Sequence, residues 1–284
     1  MNEQFRTMHL FAGAGGGILA DLILGHQPVV AVEWDKYACN VLRERAADGW
    51  FDGLDVWEGD VREFAAHDWK GRVDCIHAGF PCQDISVAGR KAGVGEDTRS
   101  GLYREVLRIA DEVRPEYIFL ENVAAIVTGD DGAMLRTVAG DIASRGYDAV
   151  WLCLSAAEVG ANHKRDRWWL LAYPNSAHRE GMRLTERVSA RQLLNGRCES
   201  EPVSNTDSTS SQREKLTIRS QQKSTNYGEY VWWEVEPDVG RVAHGIPSAS
   251  HRLKALGNAQ VPLQCATAFS LLWEIAFDGQ DRTN

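Results

Sequence analysis

Over the first 171 residues, short apolar runs alternate with longer stretches whose apolar positions recur at helical spacing, the pattern of strands joined by crossover helices. Strands are predicted at residues 8–11, 29–33, 74–78, 117–121, 149–154 and 168–173, and residues 56–59 run into Asp60 at what would be a further strand end. Helices are predicted at Lys36–Ala47, where Tyr37, Val41 and Leu42 share a face, and over 103–113, where Val106, Ile109, Ala110 and Val113 repeat near 3.6. The alternation predicts an α/β fold with a doubly wound sheet of parallel strands. It lapses over residues 172–228, where 22 of 57 residues are Ser, Thr, Asn or Gln, too polar to bury a core of their own. Beyond that segment, Pro262 opens an apolar stretch running to Phe277 that predicts a helix packing back on the sheet. The chain thus reads as three regions: 1–171, 172–232 and 233–284.

Composition narrows the function classes. With 44% hydrophobic and 25% charged residues among 284, the chain is neither collagenous, coiled-coil nor wholly disordered. It contains no apolar run of membrane-spanning length and no basic-then-apolar start, so a cytoplasmic protein without a membrane partner is expected. Six scattered cysteines without a Cys-x-x-Cys pair predict free thiols and no metal site. The net charge of −9 alone argues against a nucleic-acid partner, but its distribution reverses that reading. Residues 1–171 carry 18 basic and 27 acidic side chains, whereas residues 172–228 carry 9 and 6, a locally basic segment in an acidic protein.

Chemistry concentrates just after the strands. The first is followed by Phe11-Ala12-Gly13-Ala14-Gly15-Gly16-Gly17, and Glu33 ends the second, 20 residues after Gly13. A glycine turn lets a ligand approach the backbone, and an acid at that strand end can take the hydroxyls of an adenosine ribose. Ile18 displaces the third glycine of the dinucleotide fingerprint, which disfavours NAD. Asp60 is either a turn residue or a contact to an adenine amino group. Cys82, after Ala78-Gly79-Phe80-Pro81, would project into the crevice beyond the strand ends. Glu121 closes an apolar strand beside it and, with a raised pKa, would be a proton donor. Arg165 and Arg167 enter the sixth predicted strand on one face, suited to an anionic or carbonyl-bearing substrate.

Taken together and in order, Phe11 to Gly16, Glu33-Trp34, Gly59-Asp60-Val61, Gly79 to Gln83, Glu121-Asn122-Val123, Arg165-Asp166-Arg167 and Gly257-Asn258-Ala259 with Val261-Pro262 resemble the DNA (cytosine-5)-methyltransferase family. The resemblance implies a Rossmann-like methyltransferase sheet with a small inserted target-recognition region over 172–232. It implies that Phe11, Gly13, Gly15 and Gly16 surround S-adenosylmethionine and later its product S-adenosylhomocysteine. Glu33 would hold the ribose, Trp34, Asp60 and Val61 the adenine, and Phe80, Pro81 and Asn258 would complete the pocket. Cys82 matches the nucleophile, Glu121 the acid gripping the cytosine edge, and Arg167, supported by Arg165, the contact to the base carbonyl. His163 stands where the family usually has Gln, and 239–247 with Arg241 is the only candidate for the family's penultimate motif. The implied partners are double-stranded DNA and a cognate restriction endonuclease, with the enzyme a monomer in a bacterial or phage-infected cell. A tRNA cytosine-5 methyltransferase and a catalytically inactive DNA-binding regulator stay open as alternatives.

Overall fold

The computed structural model describes residues 4–81, 102–175, 255 and 257–277. Contacts divide the chain into a unit of residues 1–199 with 250–284 and a unit of residues 200–249; the described residues all belong to the first. Cys82, the loop 84–101, most of the 172–232 region and residues 239–247 lie outside them.

Seven strands, β1 (Arg6–Leu10), β2 (Gln27–Glu33), β3 (Asp55–Glu58), β4 (Cys75–Gly79), β5 (Tyr117–Val123), β6 (Tyr147–Ser155) and β7 (Asp166–Pro174), form one sheet in the order β3-β2-β1-β4-β5-β7-β6. Among the described residues five helices accompany them: α1 (Gly16–Leu24), α2 (Lys36–Ala47), α3 (Leu102–Val113), α4 (Ala133–Ser144) and α5 (Pro262–Phe277). The first five strands in spatial order are parallel and wind outward from β1, as predicted. The prediction of an all-parallel sheet is corrected at its far edge, where β7 runs antiparallel to both β5 and β6. Only ten residues separate Ser155 from Asp166, fewer than a parallel crossover needs, so β6 and β7 close as a hairpin with β7 inserted next to β5.

Strand alternation sorts side chains onto two covered faces. Met8, Leu10, Ile76, Ala78, Ile118, Leu120, Trp168 and Leu170 point to the face covered by α3 and α4. Cys75, Tyr117, Phe119, Trp169 and Leu171 point to the other, where α5 packs through Cys265, Ala268, Phe269 and Leu272. The same period of two puts His9, His77 and Glu121 on this second face. Ile18 is fully buried with Leu42 and Phe51, which is why an aliphatic stands where a dinucleotide fingerprint has glycine. Cys39, Cys75 and Cys265 are buried free thiols, whereas Cys153 is disulfide-bonded, which departs from the expectation of free thiols.

Candidate functional site

The motif residues gather at the carboxyl ends of β1, β2, β4 and β5, the edge at which open α/β sheets bind ligands. After β1 the chain turns sharply: Phe11 and Gly13 have φ of 58° and 55°, and Gly15, at φ 92°, precedes α1 in the left-handed region that only glycine enters without strain. The turn is fastened from β2. Glu33, buried, accepts from the N–H of Gly13 at 2.8 Å, of Trp34 at 3.0 Å and of Asp35 at 2.8 Å. A carboxylate has about four acceptor positions, so roughly one remains for a ligand hydroxyl. Beside it the Trp34 ring is 75% exposed, an open apolar face at the rim. Asp60 caps a short turn, and its two oxygens are met by the Arg62 side chain and N–H. Val61 is buried under that turn and Phe80 is buried against Tyr103.

A cavity of about 40 Å³ opens at these strand ends, lined by His9, Phe11, Gly13, Glu121, Asn258 and Gln260 among others. It admits only the inner end of a nucleoside-sized ligand, and the Trp34 face offers support for the rest. The acceptor position on Glu33, the glycine turn and the exposed indole therefore fit an adenosine group. A larger cleft of about 370 Å³, lined by Val127, Leu135, Arg136 and Trp151 among others, includes no member of the sequence motifs.

Register sets the polar centre. Gly79 pairs with Glu121 across β4 and β5, and Val123 with Arg167 across β5 and β7, which leaves Glu121 and Arg167 as diagonal neighbours on one face. Arg167 Nε lies 2.7 Å from Glu121 Oε1, with both side chains largely buried. Burial pushes the Glu121 carboxyl above the ordinary carboxylate range, and the charges of Arg167 and Arg165 only partly oppose this. Asn122, also buried, donates to the Phe80 carbonyl and so ties the end of β5 to the segment leading to Cys82.

Arg165 does something the sequence did not reveal. Its guanidinium donates to the carbonyl oxygens of Gly257, at 2.9 Å, and of Ala259, clamping the Asn258 segment onto β7. His163 is exposed and contacts only Asn162 among the described residues.

Further buried polar groups were missed. Beneath the cavity, Asp21 of α1 is buried between His9 and His26, with His9 Nε2 2.6 Å from Asp21 Oδ2 and the Thr7 hydroxyl donating to the same oxygen. Burial alone would push the Asp21 carboxyl up, but the facing histidines hold it well below the usual carboxylate range. Burial pushes the neighbouring His77 down to about 3, so its imidazole is neutral. The ligating atoms of His9, Asp21 and His77 lie within 4.8 Å of one another. The direct His9–Asp21 bond and the shared Thr7 donor make this a hydrogen-bonded cluster. Two polar residues, Gln260 and His77, complete the cavity floor. The signal available in the sequence was parity: His9 and His77 each stand an even number of residues before the glycine and proline motifs, on the face that Glu121 shares.

The chain is similar to known methyltransferases. The chain is 38% identical over 175 residues to the type II methyltransferase M.Eco47II of Escherichia coli, covering 61% of this chain and 40% of that protein. It is 36% identical to M.CviJI of Paramecium bursaria Chlorella virus IL3A, covering 60% and 43%, and 32% identical to M.HhaI of Haemophilus parahaemolyticus, covering 60% and 49%. The chain spans less than half the length of these three relatives. Residues 5–245, enclosing the glycine turn, the Glu33 latch and the Glu121–Arg167 pair, match the C-5 cytosine-specific DNA methylase family, and the chain belongs to it.

Proposed function

We propose that the protein transfers a methyl group from S-adenosylmethionine to carbon 5 of a cytosine flipped out of duplex DNA, through a covalent adduct with Cys82. The observation that carries this reading is the pairing of Gly79 with Glu121, since the chain runs from Gly79 through Phe80 and Pro81 directly to Cys82. That pairing supports the reading, because Glu121, a buried carboxyl of raised pKa, stands at the strand end beside Gly79, three residues before Cys82 in the sequence.

Glu33, Trp34 and the Phe11–Gly16 turn would hold S-adenosylmethionine, which supplies the electrophilic methyl group. Carbon 5 of cytosine is a weak nucleophile, so the Cys82 thiolate adds to carbon 6 and makes carbon 5 electron-rich. Glu121, protonated, donates to ring nitrogen 3 as negative charge develops there and accepts from the exocyclic amine. Arg167, which pairs with Glu121, would reach the ring carbonyl oxygen. Once carbon 5 bears the methyl group, loss of its proton expels the Cys82 thiolate. A base within a duplex cannot enter such a site, so extrusion at a cost of a few kcal/mol is part of the proposal. Residues 172–232, with their basic excess, are the proposed target-recognition region, and the cytoplasm the proposed compartment.

The test is adduct formation by the full chain with duplex DNA containing 5-fluorocytosine, whose fluorine blocks the final elimination. A denaturation-resistant complex with wild type and none with Cys82→Ser is expected, with S-adenosylmethionine binding retained in the variant. Absence of any complex with the wild-type protein overturns the mechanism. Faster methylation of tRNA than of duplex DNA in a labelled-methyl assay assigns the substrate to RNA instead.

A further inference from the structure

Gln260 belongs to none of the residues assigned above, yet the strand ends are built around it. An added Cβ at Gly16 would overlap the Gln260 carbonyl oxygen, and one at Gly17 would fall 2.5 Å from Gln260 Oε1 and 2.7 Å from His77 Cε1. At Gly79 it would fall 2.9 Å from Gln260 Nε2 and 3.0 Å from Glu121 Oε2. Gly17 and Gly79, from two separate motifs, thus leave room for the Gln260 side chain, and Gly16 for its backbone. They bring Gln260 Nε2 to 3.5 Å from Glu121 Oε2, on the oxygen that Arg167 does not hold. Its amide oxygen faces the neutral His77, whose Nδ1 has no hydrogen-bond partner and whose Nε2 lies 3.8 Å from Cys265 Sγ.

We propose that Gln260 is a positioning residue for Glu121, a neutral donor seated by Gly16, Gly17 and Gly79 that fixes the carboxyl rotamer. The inference rests on the reading of Glu121 as the acid that grips the base. An amide suits the place because its N–H₂ can donate to the carboxyl without bringing a charge to the site. The other titratable groups packed around the pair are Arg167 from β7 and Arg165 just before it, His77 from β4 with His9 and Asp21 behind it, and Cys265 from α5.

The experiment compares kcat against pH for the full-length wild type, Gln260→Met, which matches the length without a donor, and Gln260→Glu, which adds a second carboxyl. Loss of the donor removes support for the carboxylate, so Glu121 keeps its proton to higher pH. The alkaline limb of the kcat profile should therefore move upward in Gln260→Met, and further in Gln260→Glu through like-charge repulsion. The plateau kcat should fall by about tenfold to a hundredfold, as for a misplaced catalytic group. S-adenosylmethionine titration, with the dissociation constant within a few-fold, reports that each variant is folded. In a Glu121→Gln background the Gln260→Met change should add little. If Glu121→Gln is crippled while the limb stays in place in both Gln260 variants, the inference alone is overturned, because a purely structural loss lowers kcat without moving the limb. If Glu121→Gln keeps activity within a few-fold of wild type, the reading of Glu121 fails and the inference fails with it.

Discussion

Replacing Arg165 by Ala tests whether the clamp on residues 257–259 shapes the cofactor pocket. The guanidinium makes two hydrogen bonds to backbone carbonyls, of Gly257 and Ala259, on either side of Asn258. Bonds from a charged donor contribute about 1.5–3 kcal/mol each, but this side chain is only partly buried and the freed carbonyls can take water. A net loss of about 2 kcal/mol for the pair is the reasonable figure. If Asn258 must be seated for binding, the loss appears as a reduced population of the competent segment, so the apparent dissociation constant for S-adenosylmethionine rises by up to about 30-fold. Arg165→Lys, which keeps the charge but lacks the fork that spans two carbonyls, should fall between wild type and Ala. Isothermal titration with S-adenosylhomocysteine, at a DNA-free site, isolates this term from base binding. An unchanged constant in Arg165→Ala would show that the 257–259 segment holds its place without the clamp.

Glu121→Gln should slow methyl transfer by about 100-fold or more in a labelled-methyl assay, the scale of a lost general acid. Because burial raises the Glu121 pKa in the folded protein, wild-type turnover should decline as pH rises through that raised value, and the decline should vanish in the variant. Asp21→Ala leaves His9 and Thr7 without their buried partner and should cost about 3–5 kcal/mol in urea unfolding. The folded Asp21 pKa is depressed, so its contribution is complete above the unfolded value of about 4 and is lost as pH falls below it. That acid-side decline should be missing from the variant, and an equal decline in both would refute the account. Glu33→Ala removes the acceptor for three backbone N–H groups and should weaken S-adenosylmethionine binding by at least about tenfold without changing the methylated DNA sequence. A changed sequence with unchanged affinity would show that Glu33 is misplaced.

The strands were legible where apolar period and glycine punctuation agreed, and the helices only where an amphipathic face was clear. Lys36–Ala47 matched its prediction because Asp35 caps it through the N–H groups of Tyr37 and Ala38 while Leu42 turns inward. The α1 helix was missed because it opens on Gly16 and Gly17, poor helix formers, and is stabilised instead by packing against α5. Nor was α4 predicted, with Thr137 and Gly140 in its middle; its apolar side, Met134, Leu135, Val138 and Ile142, faces the first core. The antiparallel β6–β7 pair is readable in hindsight from the ten-residue connection alone.

For the site, sequence order identified the motif residues but not what holds them. Arg165 read as a substrate contact because two arginines two apart in a strand point the same way; their partners diverge because Arg167 meets Glu121 while Arg165 reaches α5's leading segment. A backbone carbonyl 92 residues away has no signature in composition or spacing. His9 and His77 fall within apolar strands, where an isolated histidine reads as a satisfied core residue. Paired directly across β1 and β4, they instead turn the sheet's second face polar under the cavity. An apolar pair there would pack as well, but it would remove the His9 bond and leave only Thr7 and His26 to hold the buried Asp21 carboxylate. The members of the cluster therefore depend on one another. Thr7, His9 and Asp21 must be kept together, and with them the position of α1, whose first turn carries the glycines that make room for Gln260 beside Glu121.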